Sequence, residues 1–357
     1  MSAVLDAPAR DSTPVLPADV QYPLEPAALG LDSRVRCYEL RPGRAPLFIE
    51  RVDPRLANAE DFHAWLAATR PTIDRLIVDH GGIVLRGFPV RDTPDFVRLT
   101  GEFPQFQSGY AGGRAPRSAI KGHVMESTRL APSVHLILHS EMAYVRDYPR
   151  RIAFYSRVTA PVGGETTIGD MRDLVAAMPA ALVEKLQRHG TRMASNYGPR
   201  AVSMDATYAH MDLRGWNQAF YTEDPAEVER ICAAKGLEPI WNADGSLTVL
   251  TPLEPLVEHP ITGQRLFRSV IHVPPQAENA ELTRELRSRQ QYPTGATLGN
   301  GEPLSEDELQ TLRTLCRERG AAWPWQDGDV MILDNLQVWH GRNPYEGARE
   351  VQVALLD

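Results

Sequence analysis

Apolar and polar positions along the chain follow two periods. Around Phe62, Trp65, Leu66, Ile73 and Leu76 apolar residues recur every three or four positions, which predicts a helix over residues 59–78. Gly81-Gly82 break it. Ile83-Val84-Leu85, closed by Gly87, reads as a buried strand, and another helix begins near Thr93-Pro94-Asp95. Residues 46–52, 134–138, 152–158, 246–252, 266–273, 330–333 and 350–356 have the β-branched and apolar content of strands, two of them beside the turn dipeptides Asp244-Gly245 and Thr262-Gly263. Helical spacing returns at 179–189, 278–290 and 305–319. The last opens on Ser305 with Glu308 three residues on, the spacing of a capping box. Between the strands at 330–333 and 350–356 the pattern predicts only a polar turn, and glycine and proline make residues 109–117 a loop.

Composition adds exclusions. With 357 residues, 43% hydrophobic and 24% charged, the chain has the make-up of a globular protein with a sizeable core. A net charge of -8 gives no basic footprint for nucleic acid or anionic membrane. The longest mainly apolar run without charge, 174–183, contains Pro179 and is far short of the ~20 residues that span a bilayer. Prolines 8, 14, 17, 23 and 26 replace the features of a secretory signal, so residues 1–34 read as a flexible or strapped extension and 35–357 as one domain. Cys37, Cys232 and Cys316 form no CxxC pair and suggest no disulfide framework, which fits a reducing cytoplasm.

The chemistry begins at His139-Ser140-Glu141, directly after the apolar run 134–138. In extended backbone residues i and i+2 share a face, so the imidazole and carboxylate can converge on one metal. An isolated HxE is common on protein surfaces; the context comes from His340, which follows the strand at 330–333 and the pair Asp334-Asn335. Two histidines and one carboxylate make the facial triad of non-haem Fe(II) oxygenases, with positions left open for cosubstrate and O2. A hydrolytic zinc site would more often show HExxH on a helix, whereas here 201 residues separate the two histidines.

Further motifs stand around these ligands. The runs His139-Ser140-Glu141-Met142-Ala143-Tyr144, Gly163-Gly164-Glu165-Thr166-Thr167-Ile168-Gly169-Asp170 and Asp334-Asn335…His340-Gly341-Arg342…Gly347-Ala348-Arg349 recur in order with Gly215-Trp216-Asn217-Gln218-Ala219-Phe220 and His259-Pro260-Ile261-Thr262-Gly263. Together they resemble the taurine dioxygenase/clavaminate synthase-like superfamily of Fe(II)- and 2-oxoglutarate-dependent oxygenases, over about residues 35–357. The resemblance implies a mixed α/β, mainly β fold: a distorted double-stranded β-helix, or jelly roll, with flanking helices. Residues 200–330 would form an insertion between the iron ligands that lids the mouth.

It also implies that His139, Glu141 and His340 hold Fe(II), with 2-oxoglutarate and O2 as cosubstrates. The distal carboxylate of 2-oxoglutarate needs a cation, and Arg349, nine residues after His340, supplies a guanidinium fork. Arg342 is the neighbouring candidate, and Thr166 takes the family's place for a hydroxyl contact. Glu141 stands where halogenases of the superfamily carry a small residue, which disfavours halogenation. The loop 109–117 is similar to the glycine-rich loop of syringomycin-type amino-acid hydroxylases, which would place Arg114 or Arg117 against a substrate carboxylate, with Tyr144 nearby. The expected activity is hydroxylation of a C–H bond in an amino acid or derived natural-product intermediate, free or tethered to a carrier protein, with release of succinate and CO2. Desaturation or cyclisation at the same iron is the rival within this chemistry, and a non-catalytic jelly-roll binding protein is the rival from another class.

Overall fold

The computed structural model describes residues 12–107, 119–127, 130–201, 214–273 and 295–357. Asn58 opens the first long helix by accepting the backbone N–H groups of Glu60 and Asp61, and Gly81, at φ 75°, ends it in the left-handed conformation. Between these caps Ala59–His80 buries Phe62, Trp65, Leu66, Ile73, Leu76 and Ile77 on one face. Each such side chain contributes about 1.5–3 kcal/mol over leaving it in water. The helix joins the parallel strands Leu47–Arg51 and Gly82–Arg86 and packs on the sheet they belong to.

That sheet has nine strands, in the order Tyr22–Leu24, Val35–Glu39, Leu47–Arg51, Gly82–Arg86, Val330–Asp334, Arg151–Val158, Glu350–Leu356, Val124–Glu126 and Ala119–Lys121. Its centre is covered on both faces. Val330 and Ile332 join the cluster under the helix, while Met331 and Leu333 join Val84, Ile152, Phe154, Val351, Val353 and Leu355 on the other side. Double burial explains the unbroken apolar runs that announced these strands. The second face packs against an antiparallel sheet of four strands, Gly320–Ala321, Thr166–Asp170, Val338–Arg342 and Leu136–His139, which contributes Ile168 and Val338 to the shared cluster. The two layers form the expected mainly β jelly roll, with no closed barrel.

Outside the small sheet lie the helices Ala180–His189 and Glu306–Glu318, packed through Leu182, Leu186, Leu312 and Cys316 on Leu138, Met171 and Trp339. The capping box is present: Ser305 Oγ accepts the Glu308 N–H, and the Glu308 carboxylate accepts the Ser305 N–H. Three strands of 200–330 join Thr191–Tyr197 in a third sheet, ordered Glu238–Trp241, Leu247–Leu253, Thr191–Tyr197 and Gly295–Leu298. The strand expected at 266–273 is only Arg265–Phe267, paired with Leu256–Glu258 through the turn at Gly263; the apolar residues beyond it pack without a ladder partner. The helix expected at 278–290 lies outside the described residues.

The described part of the proline-rich extension is built into the body. Tyr22–Leu24 adds a strand at the edge of the large sheet, and Pro14 and Leu16 exchange backbone hydrogen bonds with Ala322. The three cysteines are buried singly, in three different apolar clusters. No described helix is long and apolar enough to cross a membrane.

Candidate metal centre

His340 lies in the middle of a strand. The sequence pattern reads this stretch as part of a polar turn, yet Val338–Arg342 pairs on one side with Thr166–Asp170 and on the other with Leu136–His139, setting His340 against both Ile168 and His139. Its alternation is real but short: Val338 faces the inter-sheet cluster, while Trp339 faces the outer helices. Gly341 is required by close packing, because a Cβ there would stand 2.3 Å from the Leu136 carbonyl oxygen.

Glu141 is delivered by a turn rather than by the extended backbone expected from its spacing. The strand stops at His139, and Met142 adopts φ 56°. Asn335 holds this turn. Its Oδ1 accepts the Glu141 N–H at 2.7 Å, its Nδ2 donates to the carbonyls of Glu141 at 3.0 Å and Pro149 at 2.8 Å, and its own carbonyl accepts the Ser140 hydroxyl at 2.8 Å. The local chain therefore folds as it does because one amide side chain satisfies three backbone groups of the loop.

The outcome is a compact donor set. One ligand atom from each of His139, Glu141 and His340 lies within 4.8 Å of the others, and His340 Nε2 stands 3.6 Å from Glu141 Oε2. His139 Nδ1 is 2.9 Å from the Ile137 carbonyl, so it carries the proton and leaves Nε2 as the donor. Phe154 packs 4.9 Å from the His340 ring. Glu141 and His340 are 3% and 4% exposed. A buried carboxylate facing two imidazoles fits a divalent cation of the Fe(II) type, since neutral histidines cannot compensate its charge and the donors match that ion's preferred set.

Arg349 and Thr166 come together beside this set. Arg349 Nε donates to the Gly164 carbonyl at 2.7 Å and Nη2 to Thr166 Oγ1 at 3.2 Å. Thr166 pairs with Arg342, two positions along the strand from the Ile168–His340 pair. No described carboxylate lies within ion-pair range of Arg349, and burial pushes its guanidinium down to about 10. A cavity of about 190 Å³ opens there, lined among others by Ser156, Gly164, Thr166, Trp325 and Arg349. Gly164, at φ 76°, admits the arginine stem: a Cβ would meet Arg349 Cδ at 3.1 Å.

Arg342 is placed differently. It is 2% exposed, and its guanidinium donates to the carbonyls of Leu130, Ala131 and Val134, which ties the segment leading to His139 onto the sheet. Tyr144 packs at the edge of the inter-sheet cluster. Arg114, Arg117 and their loop lie outside the described residues.

Sequence reasoning did not assign roles to Asn335, Asp334 or His259, although all three stand in the motifs. His259 Nδ1 accepts the Ile261 and Thr262 N–H groups, so its Nε2 carries the proton and donates to Asp334 Oδ2 at 2.9 Å. Asp334 also accepts from the Leu336 and Gln337 backbones and the Gln337 side chain. The histidine of the His-Pro-Ile-Thr-Gly run thus fastens the region between the ligands to the turn that holds Glu141.

Comparison with known proteins agrees with this geometry. Residues 49–355 match the model of the "Taurine catabolism dioxygenase TauD, TfdA family". A clavaminate synthase-like protein of Arabidopsis thaliana is 29% identical over 289 residues, covering 79% of this chain and 83% of the relative. The dapdiamide synthesis protein DdaC of Enterobacter agglomerans is 28% identical over 294 residues, covering 80% and 84%. Among solved structures, PvcB, described as an Fe, alpha-ketoglutarate dependent oxygenase from an isonitrile synthetic pathway, superposes with a TM-score of 0.51 at 17% identity, over 91% of this chain and 92% of that one. That likeness shows the same fold. The chain belongs to the TauD/TfdA dioxygenase family and is an Fe(II)- and 2-oxoglutarate-dependent oxygenase.

Proposed function

We propose that the protein hydroxylates a C–H bond of an amino acid or an amino-acid-derived intermediate of natural-product biosynthesis, converting 2-oxoglutarate and O2 to succinate and CO2. The observation that carries the site assignment is Arg349, a part-buried guanidinium without an anion among the described residues, opening on a cavity that Thr166, two strand positions from the His340 pair, also lines. In this reading His139, Glu141 and His340 hold Fe(II), and Arg349 with the Thr166 hydroxyl binds the distal carboxylate of 2-oxoglutarate. Arg342, its donors taken by carbonyls, holds the chain that leads to His139. The substrate class is supported by the relative that bears the name of dapdiamide synthesis.

Bound iron supplies the redox chemistry that couples decarboxylation of 2-oxoglutarate to oxidation of the substrate. The chain's own part is binding, orientation and exclusion of water. His139 is kept in one tautomer by the Ile137 carbonyl, Glu141 is immobilised by Asn335, and Phe154 with the inter-sheet cluster walls the ligands off from solvent. Within 200–330, the described stretch 214–273, fastened through His259, would act as the lid.

The test is an assay of purified protein with Fe(II), 2-oxoglutarate and O2, reading succinate release and the mass of candidate amino acids. Iron-dependent succinate accompanied by a product 16 mass units heavier is expected, as roughly the mass of one inserted oxygen. A product lighter by two hydrogens would replace hydroxylation by desaturation or cyclisation, and absence of iron-dependent succinate would refute the reading.

A further inference from the structure

Another arginine without an anion among the described residues, Arg268, stands on the other flank of the iron ligands. Arg268 follows the strand Arg265–Phe267, whose Phe267 packs outward on Trp339. The Arg268 side chain runs instead to the inter-sheet cluster. Its guanidinium lies 3.5 Å from the Tyr148 ring centroid, and Nη2 donates to the carbonyls of Met142 and Val145, each at 2.8 Å. Met142 adjoins Glu141 in sequence. Met142, Val145 and Tyr148 belong to, or pack against, the cluster whose Phe154 touches the His340 ring.

Charge makes this arrangement unusual. Arg268 is 3% exposed and, among the described residues, has no carboxylate partner, no acceptor for Nε and no hydrogen bond at Nη1. Buried guanidiniums that serve structure are supported in two ways: Asp329 meets Arg86 at 2.6 Å and 3.0 Å, and three carbonyls take both terminal nitrogens of Arg342. A buried cation is expensive unless an anion completes it. Two carbonyls satisfy one nitrogen of Arg268 and leave the charge. Burial pushes it down to about 10, which still keeps it protonated at neutral pH.

Arg349 and Arg268 also lie on different sides of the ligands. Arg349 stands with Thr166 toward the Arg342 end of the His340 strand, whereas Arg268 stands with Met142 beside the turn gripped by Asn335. One dicarboxylate cosubstrate accounts for the first. We propose that Arg268 binds a free carboxylate of the substrate and so selects free acids over amides and carrier-bound thioesters. The proposal rests on the oxygenase reading above and deepens it. Nη1 keeps N–H groups to donate to a carboxylate oxygen, the carbonyls of Met142 and Val145 and the Tyr148 ring fix the orientation of the guanidinium, and it is tied to the same turn that presents Glu141.

The experiment presents the standard L-amino acids as free acids, as carboxamides and as N-acetylcysteamine thioesters to the wild-type protein with Fe(II) and 2-oxoglutarate, reading stimulated succinate release. The acid that stimulates most is expected to outperform its own amide and thioester by about tenfold or more, the size of a lost charge-assisted hydrogen bond. In Arg268→Gln that ratio should collapse toward one. The ratio is read within each variant, so a fraction of misfolded protein cancels. Should Arg268→Gln fail to fold, Arg268→Lys decides, because it keeps the charge and loses the planar donor that the two carbonyls and the Tyr148 ring orient: the ratio should fall several-fold. Equal stimulation by acid, amide and thioester in wild type, stimulation by no free acid, or an unchanged ratio in the variants would overturn the proposal while leaving iron-dependent succinate release intact. Absence of that release in wild type would remove both readings together.

Discussion

Around Asp334 and Asn335 the polar atoms are spoken for: Asp334 accepts from two backbone N–H groups, from His259 and from Gln337, and Asn335 bonds both arms of the Glu141 turn. Around Arg349, at the other end of the small sheet, a part-buried cation has a carbonyl, a hydroxyl and the Tyr345 ring beside it, no anion among the described residues, and a cavity in front of it. The first region has the saturation of a rigid support, and the second has the deficit of a ligand site. A metal carboxylate has to be held in one place before iron arrives, whereas a cosubstrate has to find its counter-charge unclaimed.

The contrast can be broken most severely at the ligands. His139→Ala, Glu141→Ala and His340→Ala should each reduce Fe(II)-dependent succinate release to background while circular dichroism and melting stay near wild type, because each removes one of three protein donors and little of the core. Near-wild-type turnover of His340→Ala at limiting Fe(II) would take that residue out of the triad.

Asn335→Ala should come next. It keeps all three ligands and unties the turn, so iron affinity or activity should fall by about 10–100-fold, the range for residues that orient metal ligands. Iron titration of the variant measures it, and an unchanged affinity would show that the turn holds itself.

The cationic end gives a smaller and more selective effect. Arg349→Ala should raise the 2-oxoglutarate KM by about tenfold or more, since a hydrogen bond to a charged group is worth about 1.5–3 kcal/mol. Iron affinity should move far less. Arg342→Ala should instead lower the melting temperature, with three carbonyls losing their donor. If Arg342→Ala carried the KM effect, the two arginines would have exchanged roles.

The smallest effect is expected from His259→Gln, which exchanges the imidazole donor to Asp334 for an amide donor and should cost about 1 kcal/mol in denaturant unfolding. Loss of iron binding on that scale or larger would show that the region between the ligands supports Glu141 more directly than the hydrogen bonds indicate.

Several of these parts were legible in the chain. The long helix announces itself through the spacing of Phe62, Trp65, Leu66 and Ile73, and Ser305 with Glu308 announces a helix start, because both signals are local. The residue types and order of His139, Glu141, His340, Arg349 and Thr166 were likewise readable. What escaped was the strand Val338–Arg342: its histidine, glycine and arginine look like turn residues until two neighbouring strands supply the ladder. The extended backbone expected through Glu141 was a turn for the same kind of reason, since the side chain that shapes it, Asn335, lies 194 residues away.

Sequence by itself therefore determined which donors and cations the protein carries, and the local elements whose apolar period is complete within a dozen residues. Tertiary structure decided which of them meet. It gave Arg342 to backbone carbonyls and left Arg349 beside a cavity with no anion among the described residues, though both are arginines following the same histidine. It also left Arg268 buried beside Met142 with no anion among the described residues, which no spacing foretells. The physical reason is that a side chain's charge belongs to the residue, whereas its compensation depends on what the fold packs around it.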